Sequence, residues 1–151
     1  IIRTAWVFGP DHPNFVSAIL RRAIKEPSLK VVSDQQGGPT STADIADTVV
    51  HIIEKLDPRL GPWGTYHYAG APAVSRFVFA QAIVDAVATR MRHHVEFIPI
   101  LSDEIAAPAA RPVDGRLNCQ KLSDAFGIEP PAWQAGFSEL AASLLQNITN
   151  E

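Results

Sequence analysis

Ile1-Ile2-Arg3-Thr4-Ala5-Trp6-Val7-Phe8-Gly9 is the stretch on which the reading of this chain turns. It is rich in β-branched and aromatic residues and is closed by Gly9-Pro10, the signature of a strand over residues 1–8. Strand backbone donors and acceptors need neighbours. The strand stands first, without an initiator Met, so the expectation is that an upstream portion has been removed and that this strand belongs to a larger sheet.

Working outward, residues 14–25 predict a helix with Phe15, Ile19 and Ala23 on one face, stopped by Pro27. Residues 29–32 predict a short strand and 34–39 (DQQGGP) a loop. Ser41-Thr42-Ala43-Asp44 has the form of a capping box. Ile45, Ala46, Val49, Val50, Ile53 and Leu56 then recur at helical spacing up to Asp57-Pro58. Strands are expected at 65–69 and 95–98. Ser75 is expected to cap a helix with Phe79, Ile83, Ala86 and Val87 as its stripe. Residues 101–115 form a long Pro/Ala loop, a length that is functional or disordered more often than structural. Asn118 caps a short helix to about residue 126, and a last helix runs from near Trp133 to about 148. Strands and helices alternate, so the class is α/β, with the character of the tail of a larger sheet plus a smaller α+β lobe.

Composition narrows the function. The chain has 151 residues, 46% of them hydrophobic and 19% charged, as expected of a globular domain with a core. A net charge of −3 gives no basic face for nucleic acid, and no apolar run is long enough to span a bilayer. Cys119 is the one cysteine and excludes an intramolecular disulfide, so a cytoplasmic setting is expected. His12, His51, His67, His93 and His94 fall into no metal-ligand spacing. The chain has no glycine-rich dinucleotide fingerprint, no P-loop and no nucleophile elbow.

A series of short motifs then appears in order. Arg3-Thr4-Ala5-Trp6-Val7-Phe8-Gly9 is followed by Asn14-Phe15-Val16, by Asp34-Gln35-Gln36-Gly37-Gly38-Pro39-Thr40 and by Gly64-Thr65-Tyr66-His67-Tyr68-Ala69-Gly70. Ser75, Phe79 and Ala80 come next, then Pro108-Ala109-Ala110-Arg111-Pro112, Arg116-Leu117-Asn118-Cys119-Gln120-Lys121-Leu122, and finally Phe126-Gly127-Ile128 with Pro131 and Trp133. Together they cover nearly the whole chain and resemble the dTDP-4-dehydrorhamnose reductases, which are extended short-chain dehydrogenases of Rossmann type. The departures are Arg76 in place of an aromatic, Gly115 in place of Ser and Asn118 in place of Asp.

The resemblance implies the C-terminal, substrate-binding portion of such an enzyme over residues 1–151, with the N-terminal dinucleotide-binding portion absent from this chain. The family reduces the C4 ketone of a dTDP-6-deoxy-hexulose with NADPH or NADH, using a Tyr-x-x-x-Lys pair. Tyr66 and Tyr68 are followed four residues later by Gly70 and Pro72, so this chain lacks the pair and no catalytic residue is expected in it. Some family members hold Mg²⁺ at a homodimer contact, but no spacing here identifies its ligands.

Five residues are expected to bind the dTDP-sugar. Trp6 offers an aromatic platform to the sugar. Asn14, at a helix start, reaches diphosphate or base, or acts as a plain N-cap. Gln35 and Gln36 carry amides suited to a thymine edge. Arg111 has the planar fork that suits a diphosphate. Arg3 is expected to be a buried, paired arginine, and Trp63 and Trp133 to be packing residues. Two other readings fit the same fold: a non-catalytic regulatory subunit resembling that of methionine adenosyltransferase, and a freestanding nucleotide-sugar binding module.

Overall fold

The computed structural model describes residues 1–10, 13–105, 111–135 and 137–149. In chain order the elements are β1 (Ile2–Arg3), β2 (Val7–Phe8), α1 (Phe15–Ala23), β3 (Ser28–Val32), β4 (Gln36–Gly37), β5 (Thr40–Ser41), α2 (Thr42–Lys55), β6 (Tyr66–His67), β7 (Val74–Ser75), α3 (Arg76–Asp85), β8 (Glu96–Ile100), α4 (Gln120–Phe126) and α5 (Phe137–Thr149). The architecture is mixed α/β, as expected. Its strands form four separate pairs: β1 with β6, β2 with β5 and β3 with β8 are parallel, and β4 with β7 is antiparallel.

The opening strand is not continuous. It pairs first with β6 and then, after Thr4-Ala5-Trp6, with β5. Trp6 sits at φ 47, in the left-handed region that side chains other than glycine rarely adopt. Thr40, fully buried, holds this break in place. Its N–H donates to the Trp6 carbonyl at 3.2 Å, its hydroxyl donates to the Ala5 carbonyl at 2.8 Å, and the Gly70 N–H donates to that hydroxyl at 3.2 Å. A run of β-forming residues therefore serves two sheets, because the partner strands, and not propensity, set where pairing stops.

Local chemistry sets the helix starts. Asn14 caps α1, its Oδ1 accepting from the N–H groups of Val16 (2.9 Å) and Ser17 (3.3 Å). Ser75 caps α3 through Val78 N–H at 3.1 Å. Ser41 caps α2 by accepting from Asp44 N–H, but its hydroxyl then donates to the Asp44 carboxylate. The acidic side chain thus meets the cap residue's oxygen instead of its backbone N–H. Asn118 accepts from Gln120 N–H at 2.9 Å at the start of α4, and Gly127 closes that helix at φ 68. Trp133 lies in a turn before α5, its Nε1 donating to the Pro72 carbonyl at 3.0 Å.

The main core is built around Phe79, with α1 and α3 laid on β3, α3 reaching β8, and α5 packed on α1. Phe79 is 1% exposed and its ring meets those of Trp6, Phe15, Phe8, Trp133 and Phe137. A smaller core joins Tyr66, Tyr68, Leu122 and Phe126 under one side of α2. Two expectations fail here. Arg3 is exposed, because in its two-residue strand the side chain faces away from both cores. Trp63 is 65% exposed in the turn before β6 and packs in neither core, while Trp133 packs as expected. Among the described residues no helix is long and apolar enough to cross a membrane.

Candidate functional site

The break at Trp6 starts the site. Its indole lies against Gly37, where a Cβ would collide with the ring, so glycine is required there for the ring to sit flat on the backbone. Phe79 stacks behind it, with ring centroids 6.4 Å apart and planes 20° from parallel. The guanidinium of Arg76 lies 4.1 Å from the Trp6 ring centroid and 4.7 Å from that of Phe15. Trp6 is therefore half-buried and already carries a cation; it is not the free platform that the sequence suggested.

The segment 34–37 ties this cluster to two others. The Gln35 carbonyl accepts from Arg76 N–H at 3.0 Å. Gln36 pairs with Ser75 in β4–β7, its N–H donates to the Val113 carbonyl at 2.7 Å, and its carbonyl accepts from Gly115 N–H at 2.9 Å. The chain just after Arg111 is thereby held against the Gln loop. Asp34 anchors the other end: Ser102 donates to its carboxylate from Oγ at 2.7 Å and from N–H at 3.2 Å. These bonds, the hydroxyl's first, hold the Asp34 pKa below its ordinary value despite some desolvation.

Arg76 is pushed down to about 10, first by burial of its guanidinium and second by the neighbouring positive charge of Arg111. Arg22 and Arg116, by contrast, sit 2.9 Å and 2.8 Å from Glu26 and Asp114. Among the described residues no carboxylate lies within ion-pair distance of Arg76 or Arg111.

Trp6, Gln35, Gln36 and Arg111 are thus drawn toward one place, with Arg76 among them. Arg111 is exposed, and Pro108, Ala109 and Ala110 of its motif lie outside the described residues. Asn14 has its side chain engaged in the cap, with Nδ2 donating to the Gly9 carbonyl at 2.8 Å, which is its plain N-cap reading. Arg76, Phe15, Phe79 and Gly37 were not legible as site residues. Arg76 stood out in the sequence only as a departure from a pattern. The signal that could have found it is its place directly after the Ser75 cap, at the start of a helix that returns to the Gln loop. Among the described residues no group of three or more His, Cys, Asp or Glu could hold a metal ion, so Mg²⁺ finds no ligand set there. No glycine-rich strand–helix turn is present among them to cradle a dinucleotide pyrophosphate either.

Solved structures with this architecture define the class. The chain is similar to a dTDP-4-dehydrorhamnose reductase from Clostridium acetobutylicum (TM-score 0.82, 32% identity, covering 96% of this chain and 48% of that one). It is also similar to one from Bacillus anthracis in complex with NADP (TM-score 0.78, 30% identity, 92% and 46% covered). The class is that of the Rossmann-type extended short-chain dehydrogenases. Within it, the chain belongs to the RmlD substrate binding domain family, which matches residues 1–146. A dTDP-4-dehydrorhamnose reductase from Aggregatibacter actinomycetemcomitans is 39% identical over 145 residues, which is 94% of this chain and 49% of that relative. The chain spans about half the length of the curated relatives it matches.

Proposed function

We propose that this chain is the substrate side of a dTDP-4-dehydrorhamnose reductase. It holds the dTDP-sugar and presents its C4 ketone to a nicotinamide carried by a dinucleotide-binding portion of the same polypeptide. The observation that carries this reading is the convergence of Trp6, the Gln35-Gln36 loop and two arginines, Arg76 and Arg111, that have no carboxylate partner among the described residues, in a chain of this family. The arginines suit a diphosphate, the amides suit a pyrimidine edge, and the indole borders the sugar. Trp6, Gln35, Gln36 and Arg111 are the proposed contacts, with Asn14 shaping the loop beside them through its cap.

The α2 face fits the same reading. Val49, Val50 and Ile53 are 38%, 54% and 67% exposed, an apolar stripe suited to packing against the dinucleotide-binding portion. NADPH or NADH would supply the hydride there. This chain's own residues orient the sugar and hold its diphosphate, and no proton transfer is assigned to them. A cytoplasmic setting goes with this reading. The names of the relatives favour the reductase over a regulatory subunit.

The test compares the intact polypeptide with this chain alone. The intact polypeptide should oxidise NADPH in the presence of dTDP-6-deoxy-L-lyxo-4-hexulose, and Trp6→Ala in it should lower kcat/KM by about 10-fold or more, the effect of losing one buried contact to a bound sugar. This chain alone should give no turnover. Turnover by this chain, or none by the intact polypeptide, overturns the reading.

A further inference from the structure

Among the described residues Arg76 is the half-buried arginine with no carboxylate within ion-pair distance. Its guanidinium is fixed by two aromatic rings, 4.1 Å from the Trp6 centroid and 4.7 Å from the Phe15 centroid. Its backbone is fixed by the bond from its N–H to the Gln35 carbonyl at 3.0 Å. Trp6 and Phe15 are themselves stacked near-parallel to Phe79, at 20° and 21°, so the cage is part of the main core and does not reshape freely.

Such a placement is costly on its own. A guanidinium withdrawn from water and set beside a second positive charge is disfavoured unless an anion joins them. Two other arginines have such an anion: Glu26 for Arg22 and Asp114 for Arg116. At Arg76 the fold supplies aromatic rings, which hold the cation in position without neutralising it.

We propose that Arg76 is a specificity-determining residue of the nucleotide-sugar site: held against Trp6 and Phe15 beside Arg111, it is the second cation that grips the ligand's diphosphate. The inference rests on the reading of this site as a dTDP-sugar pocket and adds to it what selects the ligand. Two guanidinium forks bracket a diphosphate and leave a monophosphate or a neutral nucleoside half-held. The cation also covers the Trp6 ring, so the sugar meets Trp6 beside Arg76 and not on an open aromatic face.

The experiment is calorimetric titration of the intact polypeptide with dTDP, dTMP and thymidine, using wild type, Arg76→Gln, Arg76→Lys and Arg111→Gln. For Arg76→Gln the affinity for dTDP should fall by about tenfold or more, the scale of one charge-assisted contact, with thymidine affinity unchanged. Arg76→Lys should fall between wild type and Arg76→Gln, since it keeps the charge and loses the fork. An Arg76→Gln protein that binds dTDP within about twofold of wild type, while Arg111→Gln is weakened, overturns the role of Arg76 and leaves the pocket reading standing. An equal loss for thymidine and dTDP also overturns it, because Arg76 would then only shape the Trp6 surface. A wild-type protein that binds none of the three overturns the pocket reading itself, and this proposal with it.

Discussion

The helices α2 and α3 begin alike and end in opposite circumstances. Each follows a serine cap whose hydroxyl accepts the N–H of the third residue on, Asp44 in one and Val78 in the other. Each carries apolar residues at helical spacing. In α3 those residues are gone from solvent: Phe79, Ala80, Ile83 and Val84 are all buried against α1, β3 and β8. In α2 the buried residue is Thr48, while Ile45 and Ile52 lean on the smaller core and Val49, Val50 and Ile53 face outward. The difference teaches that amphipathic spacing specifies a face that wants a partner but not where the partner is. For α3 the partner is in this chain. For α2 we place it in the dinucleotide-binding portion proposed above.

The largest expected effect that tests this contrast is at Phe79. Phe79→Ala removes the ring that joins Trp6, Phe15 and Trp133, and should destabilise this chain by about 3–5 kcal/mol, read as the shift of a urea unfolding curve. A loss under about 1 kcal/mol would mean that the α3 face is not the keystone of the core.

A smaller effect is expected from Ile53→Ser on α2. In this chain alone the change should stay within about 0.5 kcal/mol, as for an exposed position. In the intact polypeptide the same substitution should cost about 1.5–3 kcal/mol if the face is covered. Equal costs in both settings would erase the contrast between the helices.

The subtlest test is a pH dependence near the site. The Asp34 carboxylate is held below its ordinary value of 3.8 by Ser102, so its contribution is complete above that value and is lost as the pH falls through the depressed one. Asp34→Asn should therefore flatten the acid limb of a stability-against-pH curve and leave the neutral plateau nearly level. An unchanged acid limb would show that the Asp34–Ser102 tie does not anchor the Gln loop.

Much of the proposed site lies in residues that the sequence already marks, and the reason is chemical type. Trp6, Gln35, Gln36 and Arg111 sit in short runs whose glycines and prolines mark close backbone approach, and those runs meet. Asn14 was legible as a cap because capping is local. Arg76 was passed over because its role depends on Trp6, seventy positions earlier, and on Phe15. Arg3 and Trp63 were misplaced for a related reason: residue type argues for burial on average, while exposure depends on which neighbours arrive.

What the sequence determined by itself is therefore local or ordered along the chain: the α/β alternation, the serine and asparagine caps, the helix stops, and the succession of motifs that marks the family. Backbone hydrogen bonding and side-chain reach over three or four residues are enough to decide these. The tertiary structure alone decided that the opening strand breaks at Trp6 to serve two sheets. It also decided that the apolar stripe of α2 stays outside, and that an arginine is held against two aromatic rings with no carboxylate among the described residues within ion-pair distance. Each of those depends on groups far apart in sequence, and only packing brings such groups within the few ångströms over which hydrogen bonds, ring contacts and charge act.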